Sequence, residues 1–561
     1  MRTNCALSFL LTAGLMLAQE APPPASAKTT GTVAGKVVNS TNGEPVRKVS
    51  VVLQRWNAGS GVSYSVQTDA NGRFLIDDVE PGEYVVVIER QGFLFKPPGA
   101  ANAPNPPLKL GKGQAVRDLS IPLTPLGVIA GRVFDEDGVP LRGASVSALH
   151  SYYVSALQAY YGAHKRRLGG STADTTTTND KGEFRLWGLR PGVFYLSAVG
   201  PAYGESRYST AVGQLPTYYP NSAGASHATP IELAAGAVMG GIDIRLRRVV
   251  VFTVRGKFAP GENPIYIYLT PRDTSESSKG PKLEASQAFS FEGVLPGGYL
   301  IHGSRGEGGK PSYASQAVDV VNEDVDVGVL TFLPGVDVSG VVQTEGATAL
   351  SPSLRITLIQ DDGGLFAKGA GVNPDGSFLM HDVAPCVYQV IVNGADPGVP
   401  VRDPYSVRPD SARVYVKSMQ MGDRDAEDGY VDLTRGGAPL TVVLASDVGE
   451  VEGLARNGNG HPAARVRVTL VPQGGRVGRP DLLRYAFSND KGEFKIVNVP
   501  PVEYKMFAWE DVSEGAPRNA EFRKPFEKKG VAVKVGPNGH AKADVTVISV
   551  AEIQHAELAA R

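Results

Sequence analysis

Catalysis and metal binding need particular side chains at particular spacings, and this 561-residue chain offers few. Its eight histidines are His150, His164, His227, His302, His381, His461, His540 and His555. None has Glu three residues on, so the His-x-x-Glu ligand pair of zinc hydrolases is missing. Neither His-Glu-x-x-His nor a Gly-x-Ser-x-Gly elbow occurs. The expectation is a protein with no catalytic residues, no resident metal and no cofactor.

Oxygen-rich turns come next: Asp69-Ala70-Asn71-Gly72, Asp135-Glu136-Asp137-Gly138 and Asn489-Asp490-Lys491-Gly492. A calcium loop needs more ligands than these offer, closing with a bidentate Glu at its twelfth position. Here a strand begins straight after each glycine. The turns therefore read as hairpin connections, where Gly and Asn supply positive φ. A weak calcium site on the surface stays open as the alternative.

The segment best suited to recognition combines Tyr152, Tyr153, Tyr160 and Tyr161 with Lys165, Arg166 and Arg167. On a helix the two tyrosine pairs, about eight residues apart, would share a face. On an edge hairpin they would instead pack on a sheet. Exposed tyrosines beside cations suit stacking on a sugar ring or gripping an acidic polymer. A second aromatic loop holds Tyr203, Tyr208, Tyr218 and Tyr219. Tyr152, Tyr153, Tyr160, Tyr161, Lys165, Arg166, Arg167, Tyr218 and Tyr219 together form the candidate ligand-binding set. Trp56, Trp187 and Trp509 read as packing residues. Phe522 to Lys529 reads as a solvated crossover loop, and Pro97 to Pro107 as a Pro-rich crossover of polyproline character.

Positioning such loops requires a scaffold, and the scaffold is written as a repeat. Phe74, Ile76, Val79, Pro81 and Tyr84 set a spacing that recurs four times. The second set is Phe184, Leu186, Leu189, Pro191 and Phe194; the degenerate third is Phe289, Phe291, Val294, Pro296 and Tyr299. The fourth is Phe378, Met380, Val383, Pro385 and Tyr388; the fifth is Phe494, Ile496, Val499, Pro501 and Tyr504. Phe-x-apolar is a short strand with one face inward, the Pro marks a turn, and the aromatic opens a strand of period two. Upstream lies a strand containing Gly35, Gly131 or Gly453, then a turn and another strand. Downstream is a closing strand, as in Ile242 to Leu246. Short strands between turn signals, with almost no helical periodicity, predict an all-β chain.

The phrase Gly-x-Val, turn, strand, Asp-x-x-Gly-x-Phe-x-apolar, Pro-Gly-x-Tyr resembles the carboxypeptidase regulatory-like domain, best in the first, second and fifth copies. The resemblance implies a tandem array of about five Greek-key β-sandwiches of the transthyretin-like, Ig-like kind, related to carbohydrate-binding-like and Cna-B-like folds. It implies no catalytic residues. The expected divisions are 1–27 signal peptide and Pro-rich lead, 28–125, 126–248 with the long aromatic loop, 249–332 (degenerate), 333–445 and 446–550 as sandwiches, and 551–561 as a tail. Very short linkers, such as Pro125-Leu126-Gly127, suggest a semi-rigid succession.

Arg2 and the apolar run Ala6 to Ala18 read as an export signal, too short to span a bilayer comfortably. No later run reaches the ~20 apolar residues of a membrane helix. Cys5 precedes the apolar run, leaving Cys386 with no partner for an intramolecular disulfide. The formal charge of −1 gives no field for nucleic acid. The sequence points to an exported, non-enzymatic protein, periplasmic, outer-membrane-associated or extracellular, that binds or scaffolds a glycan or envelope protein. A passive rod or stalk and an accessory subunit of an envelope transporter or peptidase are the alternatives.

Overall fold

The repeated phrase builds the same strand pair five times in the computed structural model. The model describes residues 30–559 except 57–62, 96–106, 154–165, 170–173, 201–215, 247–249, 260–265, 273–278, 285–286, 307–309, 347–349, 361–366, 395–412, 477 and 514. The signal region, the Pro97–Pro107 crossover, Tyr203 and Tyr208 lie outside the described residues, wholly or almost wholly.

In each copy the phrase strand lies antiparallel to the copy's first strand: Arg73–Val79 on Gly31–Asn39, Glu183–Leu189 on Gly127–Phe134, Ala288–Val294 on Phe252–Phe258, Ser377–Val383 on Val336–Thr344, and Glu493–Val499 on Gly449–Arg456. That first strand also runs parallel to the closing strand, as for Gly31–Asn39 with Ala115–Pro125 or Val336–Thr344 with Leu440–Ala445. A parallel pair inside antiparallel surroundings requires a crossover, which gives the Greek-key connection. A second sheet, centred on the strand opened by the aromatic, faces the first in each of the first four copies, as with Ser50–Arg55 and Gly82–Glu89. Fold class is as the repeat implies: all-β tandem sandwiches.

Three positions explain why the phrase repeats. The residue before the third apolar position is left-handed in every copy: Asp78 (φ 55°), Gly188 (77°), Gly293 (66°), Asp382 (56°) and Asn498 (55°). The ladder to the first strand shifts register at this point, forming a bulge that Asp, Asn and Gly tolerate. Tyr84, Tyr299, Tyr388 and Tyr504 each donate their hydroxyl to the carbonyl four residues back, at 2.7, 2.9, 2.9 and 3.0 Å. The ring thus fills the core while its polar end is satisfied. In the first strand, a Cβ on Gly131 would lie 1.8 Å from the Ile242 carbonyl oxygen, and one on Gly453 1.8 Å from that of Ala543. The parallel partner comes too close for any side chain.

Core clusters follow the copies. One draws on Ile129, Val146, Phe184, Leu186, Phe194 and Ile244; another on Val338, Ile356, Phe378, Met380, Tyr388 and Val442. Cys386 is a buried thiol in the latter.

The fifth copy departs from the plan. Val545–Ile548 pairs with both Glu503–Trp509 and Gly449–Arg456, joining the two sheets into one. The stretch expected to be a solvated loop is instead a short helix, Ala520–Arg523, running into the 3-10 turn Lys524–Lys529. Phe522 and Phe526 are buried against Trp509 and Phe507, with ring centroids 5.4 and 5.5 Å from Trp509. Phe522 and Phe526 read as loop residues because this second core lies outside the repeat. The expected C-terminal tail begins as the helix Val550–Ala559, whose Ile553 joins the same cluster. This helix also packs against Gly192–Val199 of the second sandwich. Among the tryptophans, only Trp509 is a packing residue; Trp56 and Trp187 are exposed.

Candidate functional site

The described ends of the aromatic excursion of the second sandwich are two paired strands. Ser145–Tyr153 pairs antiparallel with Arg166–Gly169, setting Tyr152 opposite Arg167 and Tyr153 opposite Arg166. The register sets the backbone of Tyr152 and Tyr153 across from that of Arg167 and Arg166. Tyr160, Tyr161 and Lys165 lie outside the described residues. Tyr218 and Tyr219 do not join the set as exposed rings. Tyr218 pairs with Ser197 and is only 5 % exposed, and Tyr219 packs on the core ahead of its cis bond to Pro220. Tyr218 is buried and Tyr219 is half-buried against the sandwich core, which corrects their assignment to a surface site. His150, at the base of the hairpin, lies against Phe194 at 4.3 Å, and burial pushes its pKa down.

The same sandwich carries a groove that the sequence reading missed. It lies on the outer face of the Gly127–Phe134 and Glu183–Leu189 pair. Strand alternation sends Phe184 and Leu186 inward and Glu183, Arg185 and Trp187 outward. The closing chain pairs with the first strand at Val238–Met239 and again at Ile244–Arg245, with one extra residue bulged between, where the Ile242 N–H still donates to the Ala130 carbonyl at 3.2 Å. Gly241, at φ 74°, shapes that bulge. The result is a groove of about 580 Å³ floored by Ala130, Gly131 and Gly241. Glu183 anchors one end: Arg132 bonds it at 3.1 Å and Asn179 at 3.1 Å, and these bonds, Asn179's first, hold its carboxyl below the usual range. Asp243 accepts the Arg132 backbone N–H at 3.1 Å. Beyond the other end runs a row across three strands, Trp187 opposite Val128 opposite Val238. Trp187 is 65 % exposed and Val238 68 %.

A mixed cluster of metal-ligand type lies on the fifth sandwich. Glu450 and Glu452 project from one face of their strand, and His540 pairs opposite Glu450. His540 Nδ1 is 2.6 Å from Glu450 and Nε2 is 3.2 Å from Glu452. Lys495 reaches Glu450 at 2.6 Å and Lys542 reaches Glu452 at 2.8 Å. The lysines already neutralise both carboxylates, so the arrangement is an ion-pair network across three strands. The oxygen-rich turns are likewise occupied: Asp69, Asp135 and Asn489 each accept two backbone N–H bonds within their own turn.

The fourth and fifth sandwiches meet through Arg479, which is 2 % exposed. It pairs with Asp481 and donates to the Val416 carbonyl at 2.9 Å. Burial works against its charge, Asp481 restores it, and the net shift is upward. Gly429 makes room, since a Cβ there would lie 2.8 Å from Arg479 Cδ. Tyr415, Ala445 and Leu482 add an apolar contact, and the Tyr415 hydroxyl donates to Asp447 at 2.9 Å.

Among the described residues, no helix is long and apolar enough to cross a membrane. No curated protein matches the chain. Solved structures with local similarity include the Bacillus anthracis TIE protein, 11% identical over 54% of this chain and 51% of that one, with a TM-score of 0.16. This chain thus spans about half the length of that protein. The minor pilin GBS52 of Streptococcus agalactiae is 12% identical over 38% of this chain and 95% of its own, with a TM-score of 0.22. The shaft pilin SpaA of Lactobacillus rhamnosus GG is 11% identical over 39% and 96%, with a TM-score of 0.20. Scores of this size establish no shared overall arrangement. The likeness carried by the repeated phrase has firmer support in its first two copies, where residues 32–102 and 128–218 match the carboxypeptidase regulatory-like domain.

Proposed function

We propose that the protein is an exported, non-catalytic scaffold whose β-sandwiches hold their neighbours in fixed register. The observation that supports this reading is the junction at Arg479. A guanidinium buried across two sandwiches, with a glycine opposite to admit it, ties their relative placement to a bonded geometry. The Glu450, Glu452 and His540 cluster and the turn residues Asp69, Asp135 and Asn489 are engaged in ion pairs and turns that serve the fold. The test is limited proteolysis of the purified chain, together with turnover assays on peptide, ester and glycoside substrates. The scaffold reading expects a resistant fragment containing the fourth and fifth sandwiches together, and no turnover. Early cleavage at 446–448, or catalysis, would remove it.

A second reading is ligand binding by the second sandwich. It is favoured by the strand register that sets Tyr152 and Tyr153 across from Arg167 and Arg166. A glycan array comparing the chain with a Tyr152→Ala/Tyr153→Ala variant tests it, and undiminished binding by the folded variant would exclude the hairpin.

A further inference from the structure

We propose that the groove on the outer face of the second sandwich is a saccharide site, with Trp187 as its stacking platform and a neutral oligosaccharide as its ligand. The inference goes beyond the scaffold reading and concerns residues other than the hairpin tyrosines.

The repeat provides an internal comparison. Trp187 stands three residues after the phrase Phe, where the other copies place Asp77, Glu292, His381 and Val497. Three of those are tied to neighbours: Asp77 accepts from Thr32 at 3.1 Å, Glu292 pairs with Lys282 at 3.3 Å, and His381 bonds Asp337 at 3.1 Å. The fold therefore does not need an aromatic here. Trp187 makes no ring contact among the described residues, yet it sits on a regular strand that fixes its backbone. A single exposed indole needs no explanation, but Trp187 continues into Val128 and Val238 as one apolar patch on a rigid sheet, the kind of surface that marks interaction sites.

The surroundings narrow the partner. Trp187, Val128 and Val238 form an apolar row about 10 Å long across three strands, by ordinary strand spacing. A sugar ring offers C–H groups to such a surface. Two residues along the strands, Ala130 and Gly241 give the floor little side chain, with open space above Gly241, while the Cβ side of Gly131 is taken up by the Ile242 carbonyl. Polar groups edge this floor: Arg185, Arg132, Glu183, Asp243 and Asn179. Arg185 has no side-chain bond or ion pair among the described residues, and its guanidinium is available to hydroxyl oxygens. Arg132 and Arg185 balance Glu183 and Asp243, so the groove has no net charge. That complements a neutral polyhydroxyl ligand and opposes a polyanion or a basic peptide.

The experiment uses the full chain with cellohexaose, xylohexaose, maltohexaose and chitohexaose, plus heparin-derived and polygalacturonate oligosaccharides as anionic probes. Binding is measured by isothermal titration and by tryptophan fluorescence. At least one neutral probe is expected to bind saturably. Trp187→Ala should weaken it by about tenfold or more, the size of one lost aromatic contact. Trp187→Phe should be intermediate, Arg185→Ala weaker than wild type, and Tyr152→Ala/Tyr153→Ala unchanged. Melting temperatures of the Trp187 variants should match wild type, because the ring is exposed. Three results would overturn the proposal: full binding by Trp187→Ala, binding of the anionic probes alone, or no binding of any neutral probe at millimolar concentration. None of these would affect the proteolytic test of the scaffold, so the two readings fail separately.

Discussion

Arg479, on a 3-10 segment of the fifth sandwich, donates its Nη2 hydrogen to the carbonyl of Val416 in the fourth, at 2.9 Å. The acceptor is main chain, so the bond reports where one backbone sits relative to the other. Arg479 Nε also reaches Asp481 at 2.7 Å, making a mostly buried ion pair. Removing one member of such a pair leaves the other charge uncompensated and costs about 3–5 kcal/mol. Arg479→Ala is expected to loosen the junction by an amount of that order. Hydrogen exchange should accelerate in Tyr415–Met421 and around Leu482, while Arg73–Val79 of the first sandwich stays protected. Arg479→Met, which keeps the buried stem but not the charge, should leave Asp481 equally exposed to the penalty. Uniform protection in both variants would show that the apolar contact of Tyr415, Ala445 and Leu482 holds the junction alone.

Gly131 tests the crossing of parallel strands. Its added Cβ would sit 1.8 Å from a backbone oxygen, which cannot swing aside as a side chain could. Gly131→Ala should destabilise the second sandwich by at least about 3 kcal/mol, in the class of backbone clashes with no relief. Gly43, whose Cβ would meet nothing within 4 Å but whose φ is 72°, provides the control. Gly43→Ala should cost only the left-handed penalty, about 1–2 kcal/mol. Chemical denaturation followed by circular dichroism separates the two.

Gly131 belongs to the part of the fold that is legible in the sequence. Gly35, Gly131 and Gly453 are visible as members of a repeat, because the close backbone approach they permit recurs in the first, second, fourth and fifth copies. The same holds for the core aromatic at Tyr84 or Tyr388 and for the bulge at Asp78 or Asn498. Repetition exposes whatever local geometry demands each time. It is silent about features present once. Arg479 occurs in a single junction, and nothing near it in sequence reveals that Val416 will be its acceptor. Phe522 and Phe526 sit among Arg, Lys and Glu, so their spacing shows no clean apolar period and reads as a polar loop. Trp187 reads as a packing residue for the opposite reason: it falls inside the repeated phrase, and membership suggests burial. Strand alternation from Phe184 and Leu186, applied strictly, puts it outside. Tyr218 shows the reverse error, since aromatic content alone cannot distinguish a platform from a plug.

The helical cover of the fifth sandwich makes a separate prediction. Phe526 is buried with its ring at 5.5 Å from Trp509 and 5.7 Å from Phe522, on the sheet face opposite the main core. Phe526→Ala should cost about 3–5 kcal/mol, as for other buried Phe truncations. The loss should fall on the cover first: faster exchange in 516–529 and a red-shifted, more quenchable Trp509 fluorescence, with Glu493–Val499 protected. If exchange rises equally across both faces, the cover and sandwich form one cooperative unit.

Acidity should act on the fifth sandwich through its ion-pair network. The Glu450 carboxyl is held below the ordinary value of 4.5 chiefly by its bond to Lys495, and Glu452 chiefly by Lys542, with His540 assisting both. A carboxyl with a depressed folded pKa stabilises the native state above its unfolded pKa. That contribution declines as pH falls below 4.5 and is gone beneath the depressed folded value. Glu450→Gln/Glu452→Gln should therefore lower the melting temperature at about pH 7, where the wild-type pairs are intact, and the gap should close on acidification below 4.5. Salt should narrow the neutral-pH gap too, because these groups lie near solvent and are screened. A gap that persists unchanged at low pH would mean that the glutamates contribute through packing of their stems and not through charge.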